Sequence, residues 1–168
     1  MQYVEERIKR LLQELETRIY PIKTPVSGIR MKKTREQYDP SAGINTTDWE
    51  ACPPEPLWGG HREYFWFSME VDIPETFAGM PVEIEVRTGR EEPREKGEEW
   101  GWDALNPQFT AFVNGRIVQG LDINHRDILL TEQAKGGEHF TVVLSAFTGD
   151  QNPTLKLDCR LKARDVIT

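Results

Sequence analysis

Residues 64–73 read YFWFSMEVDI, and the alternation of this segment predicts a β-strand. Successive side chains of a strand point to opposite faces, so residues two apart share a face. One face of this strand would carry only apolar side chains, namely Phe65, Phe67, Met69, Val71 and Ile73. The other face begins with Tyr64 and Trp66 and continues with Ser68 and two acids. A wholly apolar face must pack on a core, and Pro74 ends the strand.

Later segments alternate in the same way and predict further strands. They are PVEIEVRT (81–88), QFTAFVNGRIVQ (108–119), RDILL (126–130), EHFTVVLSAF (138–147) and TLKLDCRLKARDV (154–166). Asn114–Gly115 lies between two apolar runs and predicts a tight hairpin, because a type I′ turn needs positive φ at both central residues. About seven to nine strands separated by turn residues predict a mainly β protein, an antiparallel sandwich.

The segment before these strands divides into two parts of the same domain. Residues 1–20 place apolar side chains at helical spacing, namely Val4, Ile8, Leu11, Leu12, Leu15 and Ile19. They predict one amphipathic helix, ended by Pro21, whose stripe packs on this domain or on a neighbour, and we favour docking on the protein's own core. Residues 21–60 are rich in proline and predict an irregular, extended coat, with a short strand as an option, that Trp49 pins down. Residues 61–168 would form the sandwich itself.

Charge and composition limit the partners of this 168-residue chain. The net charge is −7, and the basic residues are scattered except in one stretch, Arg30, Lys32, Lys33 and Arg35, which we interpret as a solvated loop. This is a poor footprint for nucleic acid, which needs a net basic face. No apolar run reaches the roughly 20 residues that cross a bilayer, and charged residues follow Met1. We expect a cytoplasmic protein without membrane contact.

The polar motifs offer little catalytic or metal chemistry. Cys52 and Cys159 form no CxxC pair, and we expect them to be packing residues or spare thiols. The string His125–Arg126–Asp127 resembles the start of a kinase catalytic loop, but the later Asn, the Gly-rich loop and DFG are missing. We interpret it as a polar turn. We therefore predict no catalytic residue and no metal ligand in this chain.

The long charged segment Gly89–Gln108 is the best candidate for ligand binding. Sugars need a flat apolar surface beside hydrogen-bonding groups. This segment offers both in Trp100, Trp102, Glu99 and Asp103. The alternative is that both tryptophans plug the end of the sandwich or pack on a neighbouring domain, since Trp is usually buried.

Several motifs taken together resemble a known family. They are Trp58–Gly59, Trp66–Phe67 with Ile73–Pro74, Asn114–Gly115, and the Q-G-x-D-x-x-H pattern of Gln119, Gly120, Asp122 and His125. The series resembles the N-terminal β-sandwich of the α-mannosidases of glycoside hydrolase family 38, of the bacterial and fungal vacuolar type. The shorter motifs are also typical of galactose-binding-like jelly rolls. The resemblance spans nearly the whole chain.

This resemblance implies a galactose-binding-like jelly roll that does no chemistry itself. In the family, a zinc-dependent catalytic domain follows and hydrolyses α-mannosides with retention of configuration. We therefore expect this chain to be the non-catalytic N-terminal domain of such an enzyme, with the catalytic domain after residue 168 as its partner. Zinc is expected only in that catalytic domain, and no cofactor is expected here.

Three roles remain open at this point. Tyr64, Trp66 and Trp58 are candidates for packing against a covering layer, which would be the helix, the coat or the catalytic domain. Trp100 and Trp102 are candidates for holding mannosides, which would make the chain a carbohydrate-binding module. The N-terminal helix is a candidate for a homo-oligomer contact.

Overall fold

A computed structural model describes residues 2–52, 57–90, 107–150 and 154–165 of the chain. Within these residues one α-helix, α1, spans Gln2–Ile19. The strands are β1 (Ile22–Pro25), β2 (Arg30–Lys33), β3 (Glu50–Ala51), β4 (Leu57–Gly59), β5 (Tyr64–Asp72), β6 (Val82–Arg90), β7 (Gln108–Val113), β8 (Arg116–Leu121), β9 (Asp127–Thr131), β10 (His139–Phe147) and β11 (Thr154–Ala163). Short 3-10 turns lie at Pro40–Ala42 and Glu75–Phe77.

In the described part of the chain these strands form two antiparallel sheets. The six-stranded sheet has the order β3-β2-β5-β10-β7-β8. The five-stranded sheet has the order β1-β11-β6-β9, and β4 also pairs with β11. From β5 onward the chain passes repeatedly between the sheets, as in a jelly roll. The predicted fold class, a mainly β antiparallel sandwich with one N-terminal helix, is confirmed.

The core lies between the two sheets and uses the predicted apolar face of β5. Phe65, Phe67, Met69 and Val71 are all buried there. Alternate side chains of β6 and β11 close the other side, which accounts for their alternating sequences. Trp58 on β4 inserts between the sheets, with its ring centroid 5.2–5.5 Å from those of Phe65, Phe67 and Phe109.

The hairpin between β7 and β8 turns at the predicted pair. Asn114 has φ 48° and Gly115 has φ 78°, so both central residues are left-handed, as a type I′ turn requires. This turn lies directly beneath the 3-10 turn of the coat. A Cβ placed on Gly115 would lie 2.8 Å from the carbonyl oxygen of Pro40 and 3.0 Å from Cα of Ser41. The hairpin and the coat are therefore in close backbone contact.

The coat is more regular than its sequence predicts. β2 and β3 extend the six-stranded sheet beside β5, and β1 and β4 pair with β11. The interpretation of the basic stretch as a solvated loop is wrong, since most of it is strand β2. Two of its lysines make ion pairs, Lys32 with Asp48 at 2.8 Å and Lys33 with Glu63 at 3.0 Å. These pairings join residues far apart in sequence, which explains why a local pattern does not reveal them.

The helix α1 forms as predicted, but it does not dock on the core. Its residues 3–18 are all exposed, including the apolar stripe. Among the described residues the helix is anchored near its end, where Tyr20 Oη donates to Glu83 Oε2 at 2.8 Å and the Asp165 amide donates to the Ile19 carbonyl at 2.8 Å. The core is covered by the two sheets and the coat, and no described residue of α1 belongs to it. In the described residues, no helix is long and apolar enough to cross a membrane.

Replacing Gly115 with Ala tests the contact between hairpin and coat. We expect Gly115→Ala to lower the free energy of unfolding by about 1–2 kcal/mol for the left-handed backbone and by a further 1–3 kcal/mol, roughly, for the clash with Pro40. Gly79→Ala is the matched control, because Gly79 has φ +84° and open space around its Cβ position. Denaturant unfolding measures both. Equal losses in the two variants would contradict this packing.

Candidate functional site

The outer face of the six-stranded sheet carries the side chains of β5 that point away from the core. The antiparallel register places each of them beside an outward side chain of β10. From one end of the face to the other, the neighbours are Tyr64–Phe147, Trp66–Ser145, Ser68–Val143, Glu70–Thr141 and Asp72–His139. The face is therefore aromatic at one end and charged at the other.

The coat covers the middle of this face. Tyr38 meets the ring of Trp66 edge-on at 5.3 Å, and Trp49 lies 5.5 Å from Tyr38. Trp66 also stacks at 6.2 Å on Phe112, and its Nε1 donates to the carbonyl of Glu36 at 3.2 Å. Both Trp66 and Trp49 are only 3% exposed. Trp66 is thus buried by a segment of its own chain.

The other two predicted packing residues lie in different surroundings. Trp58 is also 3% exposed, but it belongs to the core between the sheets and not to this outer face. Tyr64 lies beyond the edge of the coat and remains 37% exposed. The three residues therefore do not form one packing surface.

A pocket of about 460 Å³ opens at the aromatic end, where the coat stops. The rings of Tyr64 and Phe147 line it together, with centroids 4.8 Å apart and planes tilted by 34°. Polar side chains complete its lining: Gln37 from the coat, Gln108 and Thr110 from β7, Ser145 from β10, and Asp122 after β8. Four described strands, β5, β7, β8 and β10, thus contribute to one concave site together with the coat.

The composition of this pocket suits a small polyhydroxylated ligand. A sugar presents an apolar C–H face, which packs on an aromatic ring, and hydroxyl groups that must be hydrogen-bonded when they leave water. Tyr64 and Phe147 supply ring surface, while Thr110 and Ser145 supply hydroxyl groups that both donate and accept. The arrangement provides ring surface and hydrogen-bonding groups for such a ligand.

Sequence reasoning missed most of these residues. It nominated Tyr64 but neither Phe147 nor Ser145, although all three lie on outward positions of alternating strands. The alternation of β10 was visible in the sequence. The pairing of β10 with β5, which places Phe147 beside Tyr64, was not, because the strands are separated by more than 60 residues.

The charged end of the face holds an ion-paired histidine. His139 Nδ1 lies 2.7 Å from Asp72 Oδ1, and His139 Nε2 lies 2.7 Å from Glu70 Oε2. Thr141 Oγ1 donates to the same Glu70 oxygen at 2.8 Å. The hydrogen bond to Asp72 first, and then that to Glu70, raise the pKa of the His139 ring. The group is exposed, so it contributes little to stability and titrates in contact with water.

The carbohydrate-binding candidates of the long loop, Glu99, Trp100, Trp102 and Asp103, lie outside the described residues. Strand β7 follows this segment in the sequence, and its first residue, Gln108, lines the pocket.

His125 and Arg126 of the HRD string lie in a polar turn, as the sequence predicts, and Asp127 begins β9. Asp122 Oδ1 accepts from the Asn124 amide at 2.8 Å and from the His125 amide at 2.9 Å, and it lies 3.0 Å from His125 Nδ1. The Asn124 amide first, and the His125 ring next, hold the pKa of Asp122 below its usual value. Asp127 instead accepts from Lys162 Nζ at 2.7 Å. His125 and Asp127 are therefore held by different partners.

The two cysteines lie in different surroundings, and neither belongs to a metal-binding group among the described residues. Cys159 is buried in the core, and burial raises the pKa of its thiol; Cys52 is half-buried, and burial raises its pKa as well. In residues 2–52, 57–90, 107–150 and 154–165, no three His, Cys, Asp or Glu side chains come together to hold a metal ion.

Comparisons with known proteins find solved structures of similar fold. No family model and no curated protein matches the sequence. Solved structures of similar fold include a β-glucuronidase of Faecalibacterium prausnitzii, with a TM-score of 0.50, 10% identity and 84% of this chain covered. β-Glucuronidase 2 of Bacteroides uniformis, covalently bound to cyclophellitol-6-carboxylate aziridine, aligns with a TM-score of 0.53, 10% identity and 84% coverage. The β-glucuronidase of Ruminococcus gnavus with D-glucuronic acid aligns with a TM-score of 0.50, 11% identity and 85% coverage.

This chain matches only a part of each of those enzymes. It spans 31%, 18% and 29% of their respective lengths. At 10–11% sequence identity, this structural similarity shows that the β-sandwich fold is shared.

A pH titration of His139 tests the charged end of the face. We expect an NMR-measured pKa above the usual value of about 6.5, and we expect Asp72→Asn and Glu70→Gln each to lower it. Asp150→Asn, at a different place in the described structure, is the control and should leave it unchanged. Because the folded pKa is raised, the stabilisation by this pair is present below the unfolded pKa and lost as pH rises through the folded pKa. A pKa at or below 6.5 would contradict the arrangement.

Proposed function

We propose that this chain is a non-catalytic β-sandwich module of a glycoside hydrolase, acting beside the unit that breaks the glycosidic bond. The observation that carries the proposal is the shared fold. The alignment covers 84–85% of this chain but only 18–31% of each glycosidase. The finer part of the proposal, an α-mannosidase of glycoside hydrolase family 38, rests on the motif resemblance around Trp58, Asn114 and Gln119. The natural substrates would then be α-mannosides.

The chemistry of the outer face supports a non-catalytic role. Glycoside hydrolysis needs two carboxyl groups that flank one cleft. The described lining of the pocket offers a single one, Asp122. Glu70 and Asp72 lie at the other end of the face and are both engaged by His139. In the family that the chain resembles, zinc would belong to the hydrolase unit.

Immunodepletion tests the proposed role. An antibody against this chain should remove α-mannosidase activity from an extract of the natural source, because module and hydrolase unit belong to one enzyme. Antibody saturated with the purified chain is the control and should remove none. The purified chain alone should release no nitrophenol from nitrophenyl α-mannoside.

The outcomes separate the two levels of the proposal. Removal of β-glucuronidase activity in place of α-mannosidase activity would leave a glycosidase module and overturn the mannosidase assignment. Removal of neither activity, or mannoside cleavage by the purified chain, would overturn the proposal as a whole.

The pocket supports a second candidate function, carbohydrate binding by this module. The ring pair Tyr64–Phe147 with the hydroxyl groups of Thr110 and Ser145 is the observation that favours it. Trp100 and Trp102 stay candidates for the same function. Both sets would hold mannosides through aromatic contact and hydrogen bonds.

Calorimetry with mannose and mannobiose tests this candidate. We expect weak binding in the millimolar range, which Tyr64→Ala reduces by about tenfold, because the C–H contact with the ring is lost. Tyr3→Ala, on the exposed helix, is the matched control. A loss with Trp100→Ala or Trp102→Ala but not with Tyr64→Ala would assign the site to the loop. No heat with either sugar rejects the binding function.

A further inference from the structure

We propose that α1 is a self-association helix that pairs antiparallel with α1 of a second copy of this chain. The proposal starts from the exposed apolar stripe of the helix. At least half of each of five aliphatic side chains is exposed to water, namely Val4, Ile8, Leu11, Leu12 and Leu15. A stripe of this kind, left uncovered from Val4 to Leu15 along about three turns, is an interaction surface.

The spacing of the stripe fits a two-helix seam. Val4, Ile8, Leu11 and Leu15 follow each other at intervals of four, three and four residues, which is the spacing of the a and d positions of a coiled coil. Such a seam packs side chains of one helix between those of another. In an antiparallel pair, Ile8 of one copy lies against Leu11 of the other.

The flanking charges favour the antiparallel direction. With Ile8 opposite Leu11 of the second copy, Arg7 of each helix lies beside Glu14 of the other, which gives two opposite-charge contacts. A parallel pair would instead place Arg7 beside Leu12. The net charges of the two ends of α1 favour the same direction, because an antiparallel pair brings opposite ends together. Residues 5–10 carry three bases and two acids, whereas residues 14–18 carry two acids and one base.

The attachment of the helix to the sandwich favours the same direction. Tyr20 holds the end of α1 through Glu83 and through the Lys162 ammonium, which lies 4.2 Å from the centre of its ring. An antiparallel pair therefore places the two sandwiches at opposite ends of helices about 27 Å long. Each chain has a net charge of −7, and this separation exceeds the ~8 Å over which charges act at physiological salt. A parallel pair would bring them side by side.

A second copy suits this helix better than a lipid surface. A membrane-surface helix combines its apolar face with an excess of Lys and Arg. The described helix Gln2–Ile19 carries equal numbers of acids and bases, and the chain as a whole is acidic. The proposal does not depend on the glycosidase assignment, since it uses only the residues of α1 and its anchor.

Charge reversal with sedimentation analysis of the whole chain tests the proposal. We expect the mass of the wild-type chain to rise toward twice that of the monomer with concentration. Arg7→Glu alone and Glu14→Arg alone should each weaken association about tenfold, because two attractions become two repulsions. An equimolar mixture of the two variants should associate again, as should the double variant R7E/E14R.

Matched controls and alternative outcomes make the test decisive. Arg10→Glu and Glu6→Arg change the same charges on the far side of the helix and should leave association intact. Circular dichroism checks that each variant folds. A wild-type chain that stays monomeric at every concentration overturns the proposal, as does an R7E variant that associates like R10E. Binding of the chain to anionic vesicles, with no self-association, overturns it in favour of a membrane.

Discussion

The structure depends on one constraint: strand β5 carries large rings on both of its faces, and both faces must leave water. An ordinary antiparallel sheet buries one face and leaves the other in solvent. Here Phe65 and Phe67 fill the space between the sheets, while Trp66 on the opposite side is equally buried beneath Tyr38 and Trp49. The part of the coat from residue 30 to residue 51 therefore covers the outer face. Its strands β2 and β3 extend the same sheet and hold the cover in place.

The extent of this cover determines where the protein can meet other molecules. Where the coat ends, Tyr64 and Phe147 remain accessible and a pocket forms against polar side chains. At the opposite end the face needs no cover, because Glu70, Asp72 and His139 satisfy one another in water. The helix α1 is outside this layered arrangement altogether. The three surfaces therefore differ in chemistry: a concave aromatic and polar pocket, an ion-paired patch and an apolar seam.

The sequence predicts well what depends on neighbours in the chain and poorly what depends on pairing. The alternation of β5, the left-handed turn at Asn114–Gly115 and the helix before Pro21 are local properties, and all three are present in the structure. The local pattern does not predict strand β2, because its lysines have their partners, Asp48 and Glu63, at a distance in sequence. Amphipathicity predicts a helix, but it does not say what the apolar stripe covers, and the predicted docking on the core was wrong for that reason. The pocket is not evident from the sequence, because it is assembled from four strands and the coat.

Hydrogen exchange followed amide by amide tests the central claim, that the coat is an integral layer of the sandwich. The account predicts that the slowly exchanging amides of β2 share the opening free energy of their partners in β5, since both strands belong to one sheet under one aromatic cover. The Trp49 amide, which donates to the Thr46 carbonyl at 3.1 Å, should be protected with them. Rapid exchange throughout residues 30–51 beside a fully protected β5 would contradict the account.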